Sequence, residues 1–141
     1  MSVQIKQLTN SATIEDLSGA ALVDSFNVIP AAAASKVYDL YTAQNTSTAK
    51  KSAIVKGIRL TNIQTSPTAP PVKVTLYFNR PTSGGQYRRR LLAPTDIQLP
   101  SNFTFIDDSE LTLEPGDKIQ AKADTANVIQ YVISGVERDV T

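Results

Sequence analysis

Hydrophobic and polar residues alternate with a period of two along much of the chain. The cleanest stretch is VKVTLYFN, Val72 to Asn79, with Val72, Val74, Leu76 and Phe78 on one face and Lys73, Thr75, Tyr77 and Asn79 on the other. That is the signature of a half-buried β-strand. IVKGIRLTN, Ile54 to Asn62, sends Ile58 and Leu60 one way and Arg59 and Thr61 the other, and its Gly57 marks a bulge or a closely approaching neighbour. In Lys118 to Ala123, Ile119, Ala121 and Ala123 oppose Lys118, Gln120 and Lys122, as in an antiparallel strand with one solvated face. The small alanines there predict close packing of sheets. Further strands are predicted over Ser35 to Thr42, Gln86 to Leu92, Asn102 to Ile106, Glu110 to Leu113 and Val128 to Glu137, whereas helical periodicity is poor throughout.

Turn chemistry punctuates these segments. Glu114-Pro115-Gly116-Asp117 places proline where a turn needs a fixed negative φ and glycine where a type II turn needs a positive one. It should join Glu110–Leu113 to the strand that follows. A short loop at Asp124 to Asn127 then leads into the last strand, so the end of the chain reads as a meander. Ser83-Gly84-Gly85 is a hairpin turn, and the Ser-, Thr- and Pro-rich tract from Gln64 to Pro71 is a surface loop. Many short strands separated by such clusters predict an all-β chain, an antiparallel β-sandwich of jelly-roll-like or Ig-like type.

The first thirty-odd residues follow another pattern. Val3, Ile5 and Leu22 to Ile29 have strand character, but polar residues dominate between them, and Pro30 with Ala31 to Ala34 resembles a connector. A soft boundary near Ala34 separates an N-terminal segment, 1–34, from a sandwich domain, 35–141. The segment is either an extra edge strand of the same domain or an arm that docks on a neighbouring subunit.

Composition narrows the function classes. A chain of 141 residues suits one domain with one core. Fourteen Lys and Arg against thirteen Asp and Glu leave +1, so no global field steers it to nucleic acid or to an anionic membrane. The opening residues lack a basic segment followed by an apolar run, and no apolar stretch is long enough to span a bilayer, so neither secretion by that route nor membrane insertion is expected. The absence of cysteine leaves the redox compartment unassigned.

Chemistry is sparse. With neither histidine nor cysteine, Ser-His-Asp and Cys-His systems, ordinary zinc sites and the usual near-neutral base are excluded. Asp107, Asp108 and Glu110 form the densest acidic group, but adjacent strand residues point to opposite faces, so Asp107 and Asp108 would not converge on one substrate. A solvated turn explains the group better than catalysis or calcium binding does. Tyr87-Arg88-Arg89-Arg90 is the most basic run; alternation pairs Arg88 with Arg90 and Arg89 with Tyr87, and ion pairs with Asp96, Asp107 or Glu110, or across a subunit boundary, suit it better than phosphate contacts. No catalytic, cofactor or metal residues are predicted, and the chain is expected to be a building block and not an enzyme.

The succession VYDLYTA, AIVKGIRLTN, VKVTLYFN, RRRLLAP and LTLEPGDKIQAKADTANVIQYVISGVERD resembles small β-sandwich structural proteins of tailed bacteriophages. The likeness runs from about Ser35 to Asp139 and rests mainly on a Leu-x-Pro-Gly-Asp-x-Ile turn and strand, met by Leu113, Pro115, Gly116, Asp117 and Ile119, an Ala-rich strand with Ala121, and a closing Ser134-Gly135-Val136-Glu137. One departure is QNTSTAKK, Gln44 to Lys51, which is longer and more polar than the turn expected there.

The resemblance implies a virion component made in the host cytoplasm: first a capsid decoration, or cement, protein that binds the assembled shell, second a neck, tail, baseplate or fibre-attachment protein. Implied partners are the major capsid protein or other virion proteins and further copies of the chain, with a trimer as the natural arrangement. Nucleic acid and membrane are not expected partners. Candidate contacts are Val3 and Ile5 in the N-terminal segment and Arg88, Arg89 and Arg90. A reading of another class is a carbohydrate-binding sandwich module, which needs a tyrosine-lined groove.

Overall fold

The alternation of Val72, Val74 and Leu76 is realised in one of ten antiparallel strands among the described residues. A computed structural model describes residues 3–7, 28–29, 37–81 and 87–140, the backbone alone at 3–7, 81 and 87–89. In chain order the strands are β1 (Val3–Gln7), β2 (Tyr38–Thr42), β3 (Lys51–Asn62), β4 (Val72–Pro81), β5 (Tyr87–Leu91), β6 (Ile97–Leu99), β7 (Thr104–Asp107), β8 (Leu111–Leu113), β9 (Lys118–Ala123) and β10 (Ile129–Asp139). They form two five-stranded sheets. The first runs β1-β10-β3-β7, with β8 also pairing β3; the second runs β2-β9-β4-β5, with β6 also pairing β4.

The pairings nest. β1 pairs with β10, β2 with β9, β3 with β7 and β8 in succession, and β4 with β5 and β6. Taking β5/β6 and β7/β8 each as one interrupted strand, the chain is an eight-stranded antiparallel ribbon rolled so that its successive rungs fall in alternate sheets. This is the jelly-roll order, which resolves the two types of sandwich that the sequence left open.

Between the sheets lies a core that includes Ile29, Val55, Leu60, Val72, Val74, Leu76, Leu113, Ile119, Ala121, Ile129 and Ile133, all fully buried. The alternating faces of β4 and β9 meet it as their patterns require. On β3 the pattern changes phase. Ala53 and Val55 point inward, then Ile58, Leu60 and Asn62 do. The shift is a bulge: Ser134 pairs with Gly57 but Gly135 with Val55, leaving Lys56 as the extra residue. A second bulge on β2, between Asp39 and Tyr41, lets the consecutive Leu40 and Tyr41 both be buried.

The type II turn forms as expected, with Gly116 at φ 92° and the Asp117 amide donating to the Glu114 carbonyl at 2.9 Å. The expected meander does not. β8 lies in the first sheet, β9 in the second and β10 in the first again, so both connections cross the sandwich. The turn is clasped to the end of β2, where Gly116 donates to the Ala43 carbonyl at 2.8 Å and Ala43 to the Asp117 carbonyl at 2.9 Å. That clasp sets β9 beside β2. A period-two pattern reads the same for a strand that turns back beside its predecessor and for one that crosses to the opposite layer, so the turn residues alone did not decide between them.

The polar stretch from Gln44 to Lys51 closes on itself, with Asn45 bridged to Lys50 and Thr46 accepting from and donating to Ala49. β6 was not expected from the sequence: three residues between Pro94 and Pro100 give too little alternation to register. At the N-terminal end, β1 is an edge strand of the first sheet, and Ile29 packs in the core. The boundary near Ala34, most of the Leu22–Ile29 segment and the Ser83-Gly84-Gly85 turn lie outside the described residues.

Candidate functional site

The outward faces of the two sheets differ in kind. On the second sheet, polar side chains satisfy one another across three strands: Asn79 donates to Gln120 at 3.0 Å, Gln120 to Asp39 at 2.7 Å, and Lys118 to the same carboxylate at 2.9 Å. Asn79 Oδ1 is buried without a partner among the described residues. Lys73 and Lys122 add polar positions to that face, while at its β5 edge Leu91, opposite Tyr77 in register, is 51% exposed.

The first sheet turns an apolar strip outward. The β3 bulge directs Ile54 and Lys56 out before it and Arg59 and Thr61 after it. On β10 the outward positions are Val132, Ser134, Val136 and Arg138, and on β7 they are Thr104 and Ile106. Register then builds two rows: Val132, Arg59 and Ile106 across β10, β3 and β7, and Val136, Ile54 and Thr112 across β10, β3 and β8. Ile54 is 39% exposed, Val132 40% and Ile106 57%, so three large aliphatic side chains on one face meet water.

Two shallow open depressions flank the bulge. One, of about 420 Å³, is lined by Ser52, Ile54, Thr112, Glu114, Val136 and Arg138; the other, of about 310 Å³, by Lys56, Arg59, Ile106, Asp108, Val132 and Ser134. No aromatic ring lines either. Lys56 forms an ion pair with Glu110, whereas Arg59 and Arg138 are exposed and without an ion pair among the described residues.

The buried charges lie elsewhere and are engaged. Asp117, 2% exposed, accepts Arg80 Nη2 at 2.7 Å and Nε at 3.0 Å, and also the Glu114 amide at 2.8 Å, which ties the turn to β4. The Arg80 guanidinium is held above its ordinary pKa by the hydrogen bonds it donates to Asp117 and lies 5.3 Å from the centre of the Phe78 ring. Glu137 accepts the Tyr41 hydroxyl at 2.8 Å and faces Lys51 Nζ at 3.5 Å. Burial, then this carboxylate, push the Tyr41 phenol well above its ordinary value. These groups join β4 to the turn and β2 to β10.

The residues singled out in the sequence are dispersed. Val3 and Ile5 stand opposite Arg138 and Val136 in register, at the β1 edge of the first sheet. Arg88, Arg89 and Arg90 stand opposite Arg80, Asn79 and Phe78, at the β5 edge of the second. The two sets therefore do not converge. Arg90 is exposed and has no ion pair among the described residues, and Glu110, an expected arginine partner, is taken by Lys56. Asp107 accepts the Ser109 amide at 3.0 Å, as a turn residue does, and Asp108 reaches the smaller depression.

No family model, curated protein or solved structure matches the chain.

Sequence reasoning missed the apolar strip because Ile54, Ile106 and Val132 each look like core residues in isolation. Only the bulge and the register turn them outward together. The signal was present in Ile54, which falls out of phase with Ile58 once Gly57 is taken as a bulge.

Proposed function

We propose that the chain is a structural protein of a tailed-bacteriophage virion, and within that class a decoration protein that binds the assembled capsid shell. The observation that carries the reading is the outer face of the first sheet, where three exposed aliphatic side chains stand with two arginines that have no ion pair among the described residues. Such a surface favours adhesion to protein. The resemblance from Ser35 to Asp139 supplies the virion context, and viral shell domains are among the users of jelly rolls, though the architecture by itself implies no function.

The mechanism is binding alone. A protein that adheres only to the assembled shell stabilises that state by its binding free energy. An interface of about 1,200 to 2,000 Å², repeated at every equivalent site, makes the effect collective. The major capsid protein is the expected partner, and a trimer on local three-folds the expected arrangement. A sugar-binding role has less support, since the depressions lack the aromatic platforms that hold sugar rings.

Antibody against the purified chain, applied with gold to particles of the virus that encodes it, tests the reading. Labelling over the whole shell is expected. Labelling confined to one vertex or to the tail moves the chain to the neck or tail class, and unlabelled particles with ample free protein remove the virion reading.

A further inference from the structure

We infer that the outer face of the first sheet is the surface this chain applies to its partner, and that the partner presents an apolar protein surface bearing carboxylates that receive Arg59 and Arg138. The inference rests on the virion reading above and names the face and the chemistry it would use.

Ile54, Val132 and Ile106, with Val136 half-buried between strands, lie on one face in two rows that are separated by Ser134 and the bulge at Lys56. Side chains carried on paired strands lose little conformational entropy on docking. The charge part is a balance. Lys56 is neutralised by Glu110, which leaves Arg59 and Arg138 as cations and Asp108 as the one carboxylate lining the depressions without an ion pair among the described residues. Two unpaired guanidiniums against one such carboxylate favour an acidic complement. Arginine is also the cation best suited to interface ion pairs, because its planar fork meets a carboxylate with two bonds.

Other occupants fit less well. A nucleic-acid backbone would leave Ile54, Val132 and Ile106 facing a hydrated polyanion. A second copy applied face to face would set two positive surfaces together. Applied through its second sheet, a copy would offer Asp39, whose carboxylate already receives Lys118 and Gln120.

Co-sedimentation of the full-length chain with particles lacking it provides the test. The variants are Arg59→Glu with Arg138→Glu, Ile106→Asp alone, and Lys73→Glu with Lys122→Glu on the second sheet as the control. Each is first shown by thermal unfolding to retain the wild-type transition, which exposed positions permit. The arginine pair and Ile106→Asp are expected to bind at least about thirtyfold more weakly, and the control within about threefold of wild type. Wild-type binding should also weaken as salt rises, with a flatter dependence in the arginine variant. If the wild type binds and the first-sheet variants bind equally well, the inference falls while the virion reading stands. If the variants instead lose only self-association of the free chain, a second copy occupies the face and the inference is overturned. If the wild type does not bind at all, both fall.

Discussion

A β-carbon added at residue 135 would lie 2.1 Å from the carbonyl oxygen of Ile54, while one added at residue 57 meets nothing nearer than the Ser134 hydroxyl at 3.5 Å. The glycine that the bulge requires is therefore Gly135, across the strand pair from the one that the sequence pattern flagged. Gly135→Ala is expected to cost about 2 to 3 kcal/mol, since the obstruction is backbone, and Gly57→Ala less than about 1 kcal/mol; urea unfolding of both variants measures the difference. The tyrosines give a second expectation. Burial pushes Tyr131 from 10.0 up to about 12, with Tyr38 adding to the effect, and Tyr41 is raised further by burial and Glu137. Above pH 10 the unfolded chain releases these protons and the folded chain keeps them, so the unfolded state binds fewer. Stability is then complete below pH 10 and falls as pH rises toward the folded values, by up to about 1.4 kcal/mol per pH unit for each tyrosine. Urea midpoints measured from pH 9 to 11 should show that decline, flattened in Tyr131→Phe. At this scale the sequence revealed the inward faces of β4 and β9 and the conformation of Gly116, because period and turn type are local properties. It did not reveal Asp117 or Glu137 as buried ion-pair members, because their partners are distant in the chain.

Among the strands, what could be read was their existence, and what could not was their pairing. The longest ladder joins β3, twelve residues, to β10, eleven residues, whose paired residues are at least 67 apart in the chain. Nothing near either strand announces the other. The same holds for the turn at Pro115-Gly116, whose chemistry was evident but whose destination depended on Ala43 at the end of β2. β1 shows the consequence at an edge. It covers one side of β10 from Ser134 to Arg138, and without it those backbone groups would form an unpaired template for other chains. A chain lacking residues 1–7 is expected to unfold at lower denaturant and to self-associate at concentrations where the full chain does not, as analytical ultracentrifugation and urea titration would show. Equal stability and unchanged sedimentation would mean that β1 is dispensable to the sandwich.

Taken whole, the molecule is a rolled ribbon, and the adhesive role proposed for it depends on the outer face of the first sheet. Fold class was legible because alternation and turn spacing are dense; the adhesive face was not, because it depends on a one-residue change of phase in β3 and on register among three strands. The most direct measurement is the temperature at which particles release their nucleic acid, followed by dye fluorescence, for particles stripped of the chain and for the same particles after it is added back. If the chain binds the assembled shell, add-back should raise the release temperature and do so in proportion to occupancy until sites are filled. An unchanged release temperature at full occupancy would contradict a stabilising role, and no occupancy at any concentration would contradict binding to the shell itself.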